Sequence, residues 1–175
     1  PGRIARSGEL LAIDQSLVPL SHVPEVSALP WRSLDIDLVF ECTGAFTDRV
    51  TAEQHLHAGA GRVLFSHPAE SDVDATIVFG VNDQDLTAEM DVVSAASCTT
   101  NAVVPVLSTL SRVFGIKAAT ITTIHSLMND QPVLDAYHHT DLRKTRASSQ
   151  SIIPVDTGLA VGIERILPAL AGTPV

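Results

Sequence analysis

Two short apolar runs flanking one amphipathic segment constrain this chain more than any other feature. Ile36-Asp37-Leu38-Val39-Phe40-Glu41-Cys42 reads as a strand that ends at Thr43-Gly44. Thr47 to Ala58 has helical spacing, opened by a Thr or Asp cap and closed by Gly59. Arg62-Val63-Leu64-Phe65-Ser66 is a second strand, apolar enough to lie buried on both faces of a parallel sheet. Together they form a βαβ unit of the expected length. Thr76 to Gly80 and Val92 to Ser94 add strands, so the fold class is α/β, a partial doubly wound sheet. Such sheets bind ligands beyond their strand C-termini, which brings forward Thr43, Gly44, Ser66 and His67. A glycine after a strand is also a common plain turn former. The GxGxxG dinucleotide fingerprint is absent. Ahead of this unit, Ile4 to Arg6 and Leu10 to Ile13 read as a hairpin around Ser7-Gly8-Glu9. Leu17 to Leu20 is a further short strand, and Val23 to Pro30 a loop packed down by Trp31.

Charge narrows the partners. Net charge is −9, and residues 1–97 hold 5 Lys and Arg against 15 Asp and Glu. That acidic half argues against nucleic acid. Arg143, Lys144 and Arg146 cluster in the near-neutral half, as a small-anion site or as a solvated basic loop. Cys42 and Cys98 are far apart and lack metal-ligand spacing, which suggests a reducing compartment and no disulfide framework. No apolar run approaches the roughly 18 residues of a membrane span, and Asp14 interrupts Leu10 to Ile13, so the expected location is the cytoplasm.

The chemistry concentrates at Ser97-Cys98-Thr99-Thr100-Asn101. Val103, Val104, Val106, Leu107, Leu110, Val113 and Phe114 continue it at spacings of three and four, a helical pattern. Ser97 is a good N-cap, which puts Cys98 at the first helical position. Unpaired N–H groups and the helix dipole favour an anion there, so the thiol loses its proton more easily. An isolated cysteine is more commonly buried and structural; the polar residues on both sides favour reactivity. Ile116 to Thr123 is rich in β-branched residues and reads as a strand with His125 at its end. A thiol and an imidazole are the ingredients of thiolate catalysis. Of the other histidines, His55 and His57 fall in the polar pattern of a helix and are expected to be exposed. His138 and His139 lie in a long polar loop from Met128 to Gln150, and long ordered loops are usually functional. Asp156-Thr157-Gly158 starts a last helix carrying Leu159, Ile163, Ile166 and Leu167.

Ser97-Cys98-Thr99-Thr100-Asn101, Thr122-Thr123-Ile124-His125, Ser151-Ile152-Ile153-Pro154 with Thr157-Gly158, and Glu41-Cys42-Thr43-Gly44 resemble the glyceraldehyde-3-phosphate dehydrogenase superfamily, in order and along essentially the whole chain. The resemblance implies a Rossmann-type NAD-binding part over residues 1–97, followed by the first part of an α+β catalytic domain over 98–175. It implies Cys98 as nucleophile and His125 as its acid–base partner. NAD is the implied cofactor, held in part by Thr43, Gly44, Ser66 and His67. A small phosphorylated aldehyde is the implied substrate and a homotetramer the implied assembly, the 128–150 loop resembling a segment that relatives pack between subunits. No metal, nucleic acid or membrane enters this reading.

Met128 and Asp130 stand where relatives typically have two phosphate-holding threonines. A thioether is a poor phosphate partner and a carboxylate repels one. The substrate phosphate is therefore expected elsewhere, at Ser97, Thr99, Thr157, Gly158, Lys144 and Arg146, which resemble the family's other anion pocket. Ala102 replaces a second cysteine common in the family, and Leu20 to Trp31 lacks the basic residue that relatives often carry near the adenosine. The resemblance also implies a fragment, starting after the glycine fingerprint and stopping before the second half of the catalytic domain. An interaction or oligomer-forming module without catalysis is the alternative from another class.

Overall fold

The computed structural model describes residues 4–128, 131–138 and 141–174. Asn129, Asp130 and His139 lie outside the described residues, and with them half of the Met128–Asp130 argument. The chain divides into two compact units, Pro1–Ala96 and Ser97–Val175.

The first unit opens with an antiparallel meander of β1 (Ile4–Ser7), β2 (Leu10–Ile13) and β3 (Ser16–Pro19). Gly8 (φ 60°) and Asp14 (φ 54°) take the left-handed conformations that its two tight turns need. Then come β4 (Leu38–Glu41), α1 (Arg49–His57), β5 (Arg62–Phe65), β6 (Ala75–Thr76) and β7 (Val92–Ser94). These four strands form a parallel sheet in the order β4-β5-β7-β6. Its register places Val39 beside Val63 and Glu41 beside Phe65, then Val63 beside Val92 and Phe65 beside Ser94. The core on that face contains Ala52 of α1 with Val63, Phe65, Ala69 and Val92. Burying each large apolar side chain there contributes about 1.5–3 kcal/mol.

The start of α1 follows its sequence: the Asp48 carboxylate accepts the Thr51 N–H at 2.8 Å, filling an orphan donor of the first turn. At its end Gly59 has φ 111°, and a Cβ there would stand 2.5 Å from Arg32 Cβ. Only glycine fits.

Three expectations for this unit are corrected. β5 is not fully buried on both faces: Val63 and Phe65 are buried while Leu64 is half-buried, and beside it β4 turns Val39 and Glu41 inward with Leu38 and Phe40 40% and 62% exposed. α1 covers one face of the sheet's edge and leaves Leu38 and Phe40 of the other open. The strand expected over 76–80 shrinks to Ala75–Thr76. Asn82 captures the backbone there, donating to the Thr76 carbonyl at 3.0 Å and accepting the Val78 N–H at 2.8 Å. Gly80 then donates to Asp83 at φ 79°, and the chain turns away. Third, His55 is buried, not exposed, because it shares the inward side of α1 with Thr51 and Ala52. His57 is exposed as expected.

The second unit is built on α2 (Cys98–Phe114) and α3 (Leu159–Ile166), packed against each other, with 3-10 turns at Leu142–Thr145 and Pro168–Leu170. Val104 and Leu107 of α2 and Leu159, Ile163 and Ile166 of α3 are buried. Pro105 has no N–H to donate into the helical ladder, yet α2 runs on for two more turns. The strand expected over Ile116 to Thr123 does not form, and His125 lies in irregular backbone. β-Branched residues favour an extended chain, but a strand also needs a neighbour for its ladder. In this segment Ala119 donates to the Pro174 carbonyl at 2.8 Å, a single link rather than a register. Among the described residues no helix is long and apolar enough to cross a membrane.

Candidate active site

Ser97 caps α2 as its sequence requires. Its φ and ψ are extended, and its hydroxyl oxygen accepts the Thr100 N–H at 2.9 Å. The same oxygen lies 2.6 Å from Thr100 Oγ1 and 3.3 Å from Thr99 Oγ1. Cys98 is thereby fixed at the first helical position, and it is exposed. The buried structural reading of this cysteine is excluded.

Cys98 Sγ lies 3.5 Å from His125 Nε2. The other ring nitrogen, Nδ1, is 2.7 Å from the Ser126 carbonyl oxygen, which can only accept. Nδ1 therefore carries a proton, and Nε2 is left to take one from the thiol. The electrostatics agree on both partners. The His125 hydrogen bond lowers the Cys98 pKa most, against a smaller cost of burial, and the Thr99 N–H helps. The His125 pKa is raised, chiefly by the Ser126 carbonyl and then by the thiolate. Both shifts favour passing the thiol proton to His125 Nε2. Sequence reasoning singled out the two residues that stand together here but missed the Ser126 carbonyl and the Thr99 N–H, since neither backbone group leaves a mark in the side-chain pattern.

The residues expected around the phosphate divide. Ser97 and Thr99 join the thiol as described. Thr157 Oγ1 accepts the Leu159 N–H at 3.2 Å, and Gly158 precedes the first turn of α3. The starts of the two helices lie near each other, because a Cβ on Gly162 would stand 2.9 Å from Thr100 Oγ1. The basic cluster is not a free patch. Arg146 pairs with Asp135 at 3.0 Å, and Arg143 is forked between Asp141 and Asp156 at 3.0 and 2.7 Å. Asp156 and Asp141 hold the Arg143 charge firmly. Lys144 sits on the same 3-10 turn, its N–H on the Asp141 carbonyl.

In the first unit the expected coenzyme residues end β4 and β5. Gly44 has φ 69° and open space around it, so a ligand can approach its backbone. The Ser66 N–H donates to the Glu41 carbonyl, and His67 Nε2 lies 2.7 Å from the Phe46 oxygen. Thr43 is occupied: its N–H and its hydroxyl both donate to Glu41 Oε1, at 2.7 and 2.6 Å. Glu41 and Thr43 line an open groove of about 1010 Å³ whose other walls include Leu38 and Phe40. An exposed glycine backbone and hydroxyl-bearing turns at parallel strand ends fit a dinucleotide.

Residues 97–173 match the family described as glyceraldehyde 3-phosphate dehydrogenase, C-terminal domain. The match is a similarity of the second unit to that domain and spans 77 of the 175 residues. It covers the thiol and imidazole pair and both helices of the second unit.

Proposed function

We propose that this chain is part of an NAD-dependent dehydrogenase acting on D-erythrose 4-phosphate and yielding 4-phosphoerythronate, a step toward pyridoxal phosphate. The observation that carries the dehydrogenase reading is the exposed Cys98 sulfur 3.5 Å from His125 Nε2. The substrate rests on resemblance. Leu64-Phe65-Ser66-His67-Pro68, His125-Ser126-Leu127-Met128-Asn129-Asp130-Gln131 and Leu134-Asp135-Ala136-Tyr137-His138 are similar to the corresponding words of erythrose-4-phosphate dehydrogenases, as are Thr145 to Gln150 and Pro154-Val155-Asp156-Thr157.

In the proposed mechanism, the Cys98 thiolate adds to the aldehyde carbon and forms a thiohemiacetal. His125 gives its Nε2 proton to the developing oxyanion, aided by the Cys98 N–H at the mouth of α2. It then takes that proton back as the carbon loses a hydride and becomes a thioester. NAD, when bound, supplies the hydride acceptor; Thr43, Gly44, Ser66 and His67 would hold it. Nε2 of His125 then loses that proton to solvent, and the neutral ring takes a proton from the water that opens the thioester, releasing the acid and restoring the Cys98 thiolate. Splitting oxidation from hydrolysis replaces one hard step with two easier ones.

A second reading is phosphorylating glyceraldehyde-3-phosphate dehydrogenase, favoured by the name of the matched family. There inorganic phosphate replaces water at the thioester. Steady-state rates on the two aldehydes, with and without added phosphate, separate the readings. Faster, phosphate-independent oxidation of erythrose 4-phosphate is expected; a strict phosphate requirement with the triose would overturn the proposal.

A further inference from the structure

The first unit contains a hydrogen-bond chain that the reaction above does not use. Trp31 Nε1 donates to His55 Nδ1 at 2.9 Å, and the two rings are stacked. His55 Nε2 lies 3.4 Å from Glu41 Oε2. Both His55 and Glu41 are 4% exposed. The other Glu41 oxygen accepts the N–H and the hydroxyl of Thr43. Thr43 Oγ1 accepts in turn from the Ala45 N–H at 3.1 Å, which closes the turn around Gly44.

The chemistry gives this chain a direction. An indole N–H can only donate, so Nδ1 of His55 must accept and its proton must sit on Nε2. That proton points at Glu41, as do both Thr43 donors. Each needs an acceptor there, and only a carboxylate offers one on both oxygens. Burial opposes the Glu41 charge, but the Thr43 and His55 hydrogen bonds outweigh it and hold its pKa below the ordinary value.

We infer that Glu41, fixed from behind by His55 and Trp31, is a positioning residue that sets the shape of the Thr43–Gly44 turn and hence its grip on a dinucleotide. The identity of that ligand as NAD rests on the function proposed above; the positioning does not. Glutamine at position 41 could present an oxygen to His55 or to Thr43, but not to both. Glutamine at position 55 keeps one acceptor for Trp31 and one donor for Glu41, so the direction survives without the ring.

Amide hydrogen exchange read residue by residue, with NAD titration alongside, tests this on wild type, Glu41→Gln, His55→Ala and His55→Gln. The first two substitutions are expected to speed exchange at Thr43 and Ala45 about tenfold relative to Val63 in β5, and to weaken NAD by a similar factor. His55→Gln is expected to restore both, and alkylation of Cys98 to stay unchanged throughout. Unchanged exchange at Thr43 in Glu41→Gln overturns the inference. So does uniform loosening of the whole sheet, or a His55→Gln variant that behaves as His55→Ala. Should His55→Ala fail to fold, the contrast between Glu41→Gln and His55→Gln decides by the same criteria. Wild type with the expected exchange pattern but no NAD affinity refutes the coenzyme reading and upholds the positioning.

Discussion

Two histidines, 70 positions apart, put the same ring to opposite uses. His125 is exposed and holds its proton on Nδ1 against a carbonyl, leaving Nε2 for the Cys98 sulfur. His55 is buried, with an N–H donated to its Nδ1 and its own proton turned toward a carboxylate. The neighbours of Nδ1 decide the difference. An acceptor there frees Nε2 to take a proton from a reactive group, whereas a donor there makes Nε2 give one to a fixed anion. On the readings proposed above, the first arrangement does chemistry and the second fixes a shape.

The contrast is broken most severely at the sulfur. Cys98→Ala is expected to abolish aldehyde oxidation in the enzyme, measured as NADH formation; wild-type-like turnover would end the dehydrogenase reading. His125→Asn is the next largest effect, slowing oxidation by roughly 10²–10⁴-fold, the usual worth of general acid–base help. It also changes a pH profile in a fixed direction. Because the Cys98 pKa is lowered, its alkylation by iodoacetamide in wild type should stay fast as pH falls below the ordinary thiol range. In His125→Asn the loss of rate should move up toward that range, and an unmoved profile would separate the ring from the thiol. The buried ring shows the smallest effect, in stability and coenzyme affinity rather than at the thiol. His55→Ala strips Trp31 and Glu41 of a partner and is expected to cost about 1–3 kcal/mol in denaturant unfolding, with alkylation of Cys98 unchanged.

Much of this was legible in the sequence, because it rests on local rules. Ser97 before an amphipathic run placed Cys98 at a helix start, and Asp48 capped α1 from within the predicted Thr47–Ala58 segment. The misses need partners that sequence pattern does not show. Ile116 to Thr123 has strand composition but no ladder beside it, and Asn82 displaced the end of a predicted strand through its own side chain. His55 looked polar and exposed on its helix. The signal that could have corrected it was present: Ala52 marks the inward side of α1 three residues earlier, and Glu41 alternates in phase with the buried Val39. A carboxylate and an imidazole on two inward faces imply each other, since neither is buried cheaply without a partner. The basic cluster at 143–146 was misleading for a related reason: charge counts along a chain do not show that Asp135, Asp141 and Asp156 fold back onto it.

Gly162 makes no hydrogen bond to the thiol site, yet it packs close against the cap beneath the sulfur. A methyl group there would collide with Thr100 Oγ1, the atom 2.6 Å from the Ser97 hydroxyl that caps the helix under Cys98. Widening the gap would pull that cap off its amide, and the anion at the helix mouth would lose part of its support. A one-carbon change sixty-four positions downstream would thus reach the reacting atom through two touching oxygens.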